Sequence, residues 1–212
     1  ALVTTDTLVV AATATVTSSD AMSVAEANAV DAKTSGVITA TLDTGDTASY
    51  STLTGTGNAY TVTVNDADTT PITATALSTL GGKTTGTVTV SNAIAISGTQ
   101  AEITAALVTT DTLVVAGTAT ATISDANTTA IDATALSAIG GKTSGAVTVT
   151  NAIAISGTQA EVTAALVTTG TLVVAGTATA TISDANATAI DATDLSAIGG
   201  KTSGAVTVSN AI

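Results

Sequence analysis

GAVTVTNAIAISGTQAEVTAALVTT, residues 145–169, carries the pattern on which the fold reading turns. Val147, Val149, Ile153 and Ile155 fall on one parity, with Asn151 among them. Thr148, Thr150, Ala152 and Ala154 fall on the other. Strict alternation marks a half-buried strand, and the stiff branched side chains of Val, Ile and Thr suit a pleated surface. The pattern predicts one strand, bent or bulged near Asn151. Thr158-Gln159-Ala160-Glu161, just after it, has the form of a capping box and predicts a short helix.

The flanking stretch, 170–203, repeats this grammar with other residues. Its counterpart one copy earlier places Leu113, Val115, Ala119, Ala121 and Ile123 on one predicted face. Thr118, Thr120 and Thr122 fall on the other, with Gly117 between. Asp132 and Asp191 stand where a helix N-cap belongs. Leu136 and Ile139, three apart, share one face of that helix, and Gly140-Gly141 ends it. Capping boxes also occur at Thr99-Gln100-Ala101-Glu102 and Ser23-Val24-Ala25-Glu26.

The two halves form a unit that recurs. Residues 95–153 and 154–212 align without a gap over 59 positions and differ at five: Ile103/Val162, Asp111/Gly170, Thr128/Ala187, Ala135/Asp194 and Thr150/Ser209. Residues 47–94 form a weaker, partial copy. Residues 1–46 are a diverged repeat, with an insertion continuing to about 57. The double unit implies a structural period of roughly 30 residues, too little for a strand and short helix to bury their own apolar faces. The expectation is therefore a mainly β fold with short helices. It is a β-solenoid of ~30-residue coils, one continuous solenoid in which equivalent residues stack as ladders, Asn92 on Asn151 on Asn210. The alternative is a string of tandem β-sandwich modules, but a sandwich usually takes about 100 residues and a buried aromatic.

Composition excludes several classes of function. Of 212 residues, 51 are Thr and 44 are Ala. There is no Cys, His, Arg, Phe or Trp, and Tyr50 and Tyr60 are the only aromatics. Thiolate and imidazole metal sites and Ser-His or Cys-His nucleophiles are absent with their residues. Base readout and stacking lack their usual carriers. A formal net charge of -12 repels phosphate backbones and anionic membranes, so neither nucleic acid nor membrane insertion is expected. No apolar run reaches the ~18 residues of a membrane span.

The carboxylates are the candidate oxygen ligands, since they stand in turns. Asp66 and Asp68 in Asn65-Asp66-Ala67-Asp68, with Asp125 and Asp184 at the equivalent turn of later copies, form the candidate Ca²⁺ set. Neither the glycine-rich calcium nonapeptide nor an EF-hand loop occurs, and Asp in turns commonly bonds its own backbone. No other cofactor is expected. The four Lys each stand in a Lys-Thr-(Ser/Thr)-Gly turn. The glycine pairs before Lys83, Lys142 and Lys201 suggest a phosphate loop, but the full P-loop spacing is missing, which leaves a solvated turn. Thr118/Thr120/Thr122 and Thr177/Thr179/Thr181, with the nearby Tyr60-Thr61-Val62-Thr63, suggest a Thr row able to order water and bind ice. Asn127-Thr128-Thr129 and Asn186-Ala187-Thr188 match the N-glycosylation pattern. No catalytic constellation is present, so no enzyme is expected.

The phrases ISGTQAEVTAALV, TATISDA and GGKTSGAVTV resemble the tandem repeats of giant Thr/Ala-rich extracellular and cell-surface proteins of cyanobacteria, of the swimming-motility or hemolysin-like secreted type. The resemblance implies a secreted or cell-surface location and a structural array; it carries over no catalytic residue. The function expected is a self-assembling structural segment of a surface filament, matrix or adhesin. It would be a rod of stacked strand ladders whose partner is itself, head-to-tail or laterally, with surface polysaccharide as a further partner. The alternatives are an ice-binding Thr-rich β-solenoid and a Ca²⁺-dependent carbohydrate-binding adhesin.

Overall fold

A computed structural model describes residues 12–68, 70–112 and 114–210. In chain order the elements are β1 (Val16–Thr17), α1 (Val24–Asp31), β2 (Ile38–Thr41), α2 (Thr47–Tyr50), β3 (Ala59–Val64), β4 (Ile72–Thr73) and α3 (Ala74–Gly81). There follow β5 (Val88–Val90), β6 (Ala95–Gly98), α4 (Gln100–Leu107), β7 (Val114–Val115), β8 (Thr120–Ile123), β9 (Ala130–Asp132) and α5 (Ala133–Gly140). The last are β10 (Val147–Val149), β11 (Ala154–Gly157), α6 (Gln159–Leu166), β12 (Val173–Val174), β13 (Thr179–Ile182), α7 (Ala192–Gly199) and β14 (Val206–Val208). The strands form three sheets, ordered β1-β2-β3-β5-β7, β12-β10-β8-β6-β4 and β14-β13-β11-β9.

Every strand pair among the described residues is parallel. From β3 onward the offset between partners hardly varies, as Val62↔Val88, Ile72↔Ile96, Ala121↔Val147 and Val147↔Val173 show. Parallel neighbours cannot be joined by a tight turn; they need a long crossover, usually helical. Each crossover here carries one helix. The helices begin where the sequence places their caps. Ser23, Thr99 and Thr158 form complete capping boxes with Glu26, Glu102 and Glu161. Asp191 accepts from the amides of Thr193 and Asp194, whereas the Asp132 side chain makes no bond to the helix it precedes.

These observations correct the expected architecture. The described chain is an α/β fold of seven helices and three parallel sheets, not a mainly β solenoid and not a set of sandwich modules. The helices α3 to α7 are eight residues each and pack on one another in sequence, so they form a layer rather than decorating a β structure. Sandwiches are built from antiparallel pairs, and none occurs among the described residues. The repeated sequence also does not make a repeat architecture of like units stacked on like. Helices start at Ala74, Gln100, Ala133, Gln159 and Ala192, in alternating shorter and longer steps, while the strand offset stays nearly constant. The sequence period is not a multiple of that offset. Equivalent strands therefore separate: β5 lies in the first sheet, β10 in the second and β14 in the third.

Two local readings change for the same reason. The strand expected to bend near Asn151 is two strands, β10 and β11, in two different sheets, with a corner at residues 150–153. The second run does not keep one parity. Val114 and Val173 are buried while Val115 and Val174 are 46 % and 49 % exposed. Alternation restarts after the exposed pair Gly117-Thr118, beyond which Ala119, Ala121 and Ile123 face inward. Leu113 lies outside the described residues.

The core is a continuous cluster of Ile, Leu, Val and Ala with two tyrosines. The Tyr50 hydroxyl donates to the carbonyls of Asp43 and Thr63, at 2.6 and 2.8 Å. The Tyr60 hydroxyl is buried without a partner among the described residues, and burial pushes its pKa up to about 12. Packing is tight where α5 meets the segment that follows α6. A Cβ on Gly140 would lie 2.2 Å from the Thr171 carbonyl oxygen, whereas a Cβ on the equivalent Gly199 meets nothing within 4 Å. Gly140→Ala is therefore expected to destabilise by about 1–3 kcal/mol through overpacking. Gly199→Ala is expected to be neutral or to stabilise by about 1 kcal/mol through helix propensity. Denaturant unfolding of the two single variants checks the contrast.

Candidate functional site

Among the described residues, chemistry-bearing side chains recur in two clasps between neighbouring chain segments. The first is built by the Lys-Thr-(Ser/Thr)-Gly turns. Thr34, Thr84, Thr143 and Thr202 turn their hydroxyls back onto the preceding strand, donating to the carbonyls of Ala14, Tyr60, Ala119 and Ala178. The same oxygens accept the amides of Gly36, Gly86, Gly145 and Gly204, at 2.9 to 3.0 Å. The hydroxyls of Ser35, Ser144 and Ser203 donate to the carbonyls of Ala12, Gly117 and Gly176 at 2.8 to 2.9 Å. The glycine is required by proximity: a Cβ at Gly145 would stand 2.1 Å from the Ala119 carbonyl oxygen. Thr and Gly hold this motif together, and its Lys faces solvent or is half-exposed. The GGK signal points to the cation, but the hydroxyl and the missing side chain are the informative part of the turn.

The second clasp contains most of the predicted site residues. Asp66 Oδ2 accepts from the amide and hydroxyl of Thr47, both at 2.7 Å. Asp125 Oδ2 accepts from the Gln100 amide at 2.6 Å, and Asp184 Oδ2 from the Gln159 amide at 2.7 Å. Thr47, Gln100 and Gln159 are the first residues of α2, α4 and α6. The first amides of a helix have no partner within it, and its dipole favours a negative charge there. Each Asp therefore caps a helix from a turn further along the chain, beside the local cap. The capping boxes hold Glu26 and Glu102 below the usual carboxylate range, chiefly through the amides of Ser23 and Thr99.

Asn92, Asn151 and Asn210 belong to this clasp and not to a common ladder. Their amides donate to the carbonyls of Asp66, Asp125 and Asp184 at 2.8, 2.7 and 2.6 Å. Each Asn thus binds the Asp turn that precedes it in the chain. They do not stack on one another, because the strands they follow, β5, β10 and β14, run in three different sheets.

As a metal centre the predicted set does not come together. Asp66, Asp125 and Asp184 are in separate turns and each is engaged by a helix amide, while Asp68 is exposed. Among the described residues no group of three Asp or Glu could hold a cation. Thr120/Thr122 and Thr179/Thr181 do not share one Thr row either, since β8 and β13 belong to different sheets. The two glycosylation-like turns hold Thr128 and Ala187 at φ 66° and 64°, and the Asn127 side-chain carbonyl accepts from the Ala152 amide at 3.0 Å. No helix among the described residues is long and apolar enough to cross a membrane.

The clasp predicts a specific pattern of losses. Asp125→Ala and Asp184→Ala are each expected to cost about 1 kcal/mol, the usual value of a helix cap. Asp68→Ala is expected to change stability by less than about 0.5 kcal/mol. Thermal unfolding with calcium and with chelator checks the assignment: a capping carboxylate gives a midpoint that calcium does not move.

Compared with protein-family models, with curated proteins and with solved structures, the chain matches none.

Proposed function

We propose that the chain is a self-assembling structural segment of a secreted or cell-surface assembly. The observation that carries this reading is that the same two clasps recur in successive copies and use the polar side chains to hold one chain segment to the next, through Thr84, Thr143 and Thr202 in one and Asp66, Asp125 and Asp184 in the other. The parallel pairs they accompany keep a nearly constant offset, a register that a further copy of the same segment fits. The repeat phrases that resemble giant cyanobacterial surface proteins support the location, and the net charge of -12 keeps such material dispersed. Sedimentation velocity over rising concentration, with negative-stain imaging, tests the reading. Concentration-dependent, ordered oligomers are expected; a chain that stays monomeric up to millimolar concentration removes it.

A second reading has one observation in its favour. On the outer side of the first sheet Thr41 stands beside Thr61 and Thr63 beside Thr89, with Thr39 and Thr87 on the same strands or their edge. Neighbouring strands lie ~4.8 Å apart, so the hydroxyl and methyl groups form a regular lattice able to order water. Thermal hysteresis that falls in Thr61→Lys is the result expected if this face binds ice; the absence of hysteresis in the parent chain removes the reading.

A further inference from the structure

The helix layer is incomplete beside α3. Asp66, Asp125 and Asp184 bond the first residues of α2, α4 and α6, so α2 holds the place that α4 and α6 hold in later copies. These three helices lie against α3, α5 and α7. α4 and α6 have eight residues, about two turns, whereas α2 has four. The missing turn leaves a cleft of about 330 Å³ between α2 and α3. The facing position marks the gap independently. Asp194 of α7 is the counterpart of Ala76 of α3, and its Oδ2 accepts from Gln159 Nε2 of α6 at 2.6 Å. In α7 a side chain there reaches the preceding helix; in α3 it is a methyl group facing a helix one turn short, and the gap stays open.

The lining divides by chemistry. Ala76, Leu80 and the Tyr50 ring offer apolar surface. The Tyr50, Thr47 and Thr75 hydroxyls are already committed, to the Asp43 and Thr63 carbonyls, to Asp66 and to Glu102. Lys83 is the only charged side chain in the lining. It is half-buried there, whereas its counterparts Lys142 and Lys201 are exposed. An apolar floor with one cation at its edge complements an amphiphile of single negative charge. We propose that the α2–α3 cleft binds a small monocarboxylate with a short hydrocarbon tail. The carboxylate accepts from the Lys83 ammonium, and the tail lies on Ala76, Leu80 and the Tyr50 ring. The volume is at the low end of the ~300–1,000 Å³ of small-molecule sites, so the ligand is small. Asp46 and Asp66, at the start of α2, repel a second negative charge and select against a dicarboxylate. The bound tail supplies the packing that the absent turn of α2 does not.

The test is binding of hexanoate, followed by ligand-observed saturation-transfer NMR. It is run on the parent chain, Lys83→Gln, Lys142→Gln and Ala76→Leu, after their unfolding midpoints are compared. The expected result is saturable binding to the parent. Lys83→Gln weakens it at least about tenfold, the loss of one charge-assisted hydrogen bond, and hexan-1-ol in place of hexanoate does the same. Lys142→Gln leaves it unchanged, and Ala76→Leu, which fills the cleft, abolishes it. Should Ala76→Leu lower the midpoint, the two lysine variants decide. A parent chain without saturable binding overturns the proposal. So does equal weakening by Lys83→Gln and Lys142→Gln, which marks a loose surface attraction, and so does full binding by a folded Ala76→Leu chain. None of these outcomes depends on whether the chain assembles.

Discussion

The closest constraint in the molecule is the approach of one backbone to another where a Lys-Thr-(Ser/Thr)-Gly turn meets the preceding strand. The Ala119 carbonyl oxygen sits 2.1 Å from where a side chain on Gly145 would begin, and the Thr143 hydroxyl ties both strands at that point. Parallel pairing at a nearly constant offset depends on this approach being open each time. Given the offset, the intervening chain has room for one two-turn helix and one or two strands. Given the helix, its first amides need acceptors. The turns beyond the strands supply them as Asp66, Asp125 and Asp184, and those turns are held in place by Asn92, Asn151 and Asn210.

An acidic chain with almost no cations would ordinarily lose its carboxylates to mutual repulsion. Here several are used at helix starts, where the partial positive charge of the backbone substitutes for the missing Lys and Arg. Glu102 illustrates this: it accepts from the Thr99 amide and from the Thr75 hydroxyl of α3, so one carboxylate joins two helices. The arrangement needs no salt bridge, and its strength is correspondingly insensitive to the pairing of long, flexible side chains.

Local structure was legible in the sequence, and global structure was not. Capping boxes at Ser23, Thr99 and Thr158 located three helices because the motif is decided within one helical turn. Alternation at Val147 and Val149 located a strand for the same reason. The fold class was not legible, because averaging the two halves of the repeat to one mean period hides the true pairing offset, which is set by tertiary contact. Parity misleads at Val115 and Val174, where Gly117 and Gly176 allow the chain to reset its phase. The Asp residues are recognisable as oxygen donors in turns. That their partners are the first amides of distant helices is information that lies in the register, not in the local spacing.

The separation of equivalent strands into different sheets has a consequence for how such a sequence changes length. Near-identical neighbouring units invite gain or loss of whole copies during replication. Were the units superposed, a gained copy would only lengthen the molecule. Here β5, β10 and β14 occupy successive sheets, so a gained copy also transfers every following strand to the adjacent sheet. Copy number thereby sets the direction in which downstream surfaces point, and a single recombination event re-aims them without altering one residue of the unit.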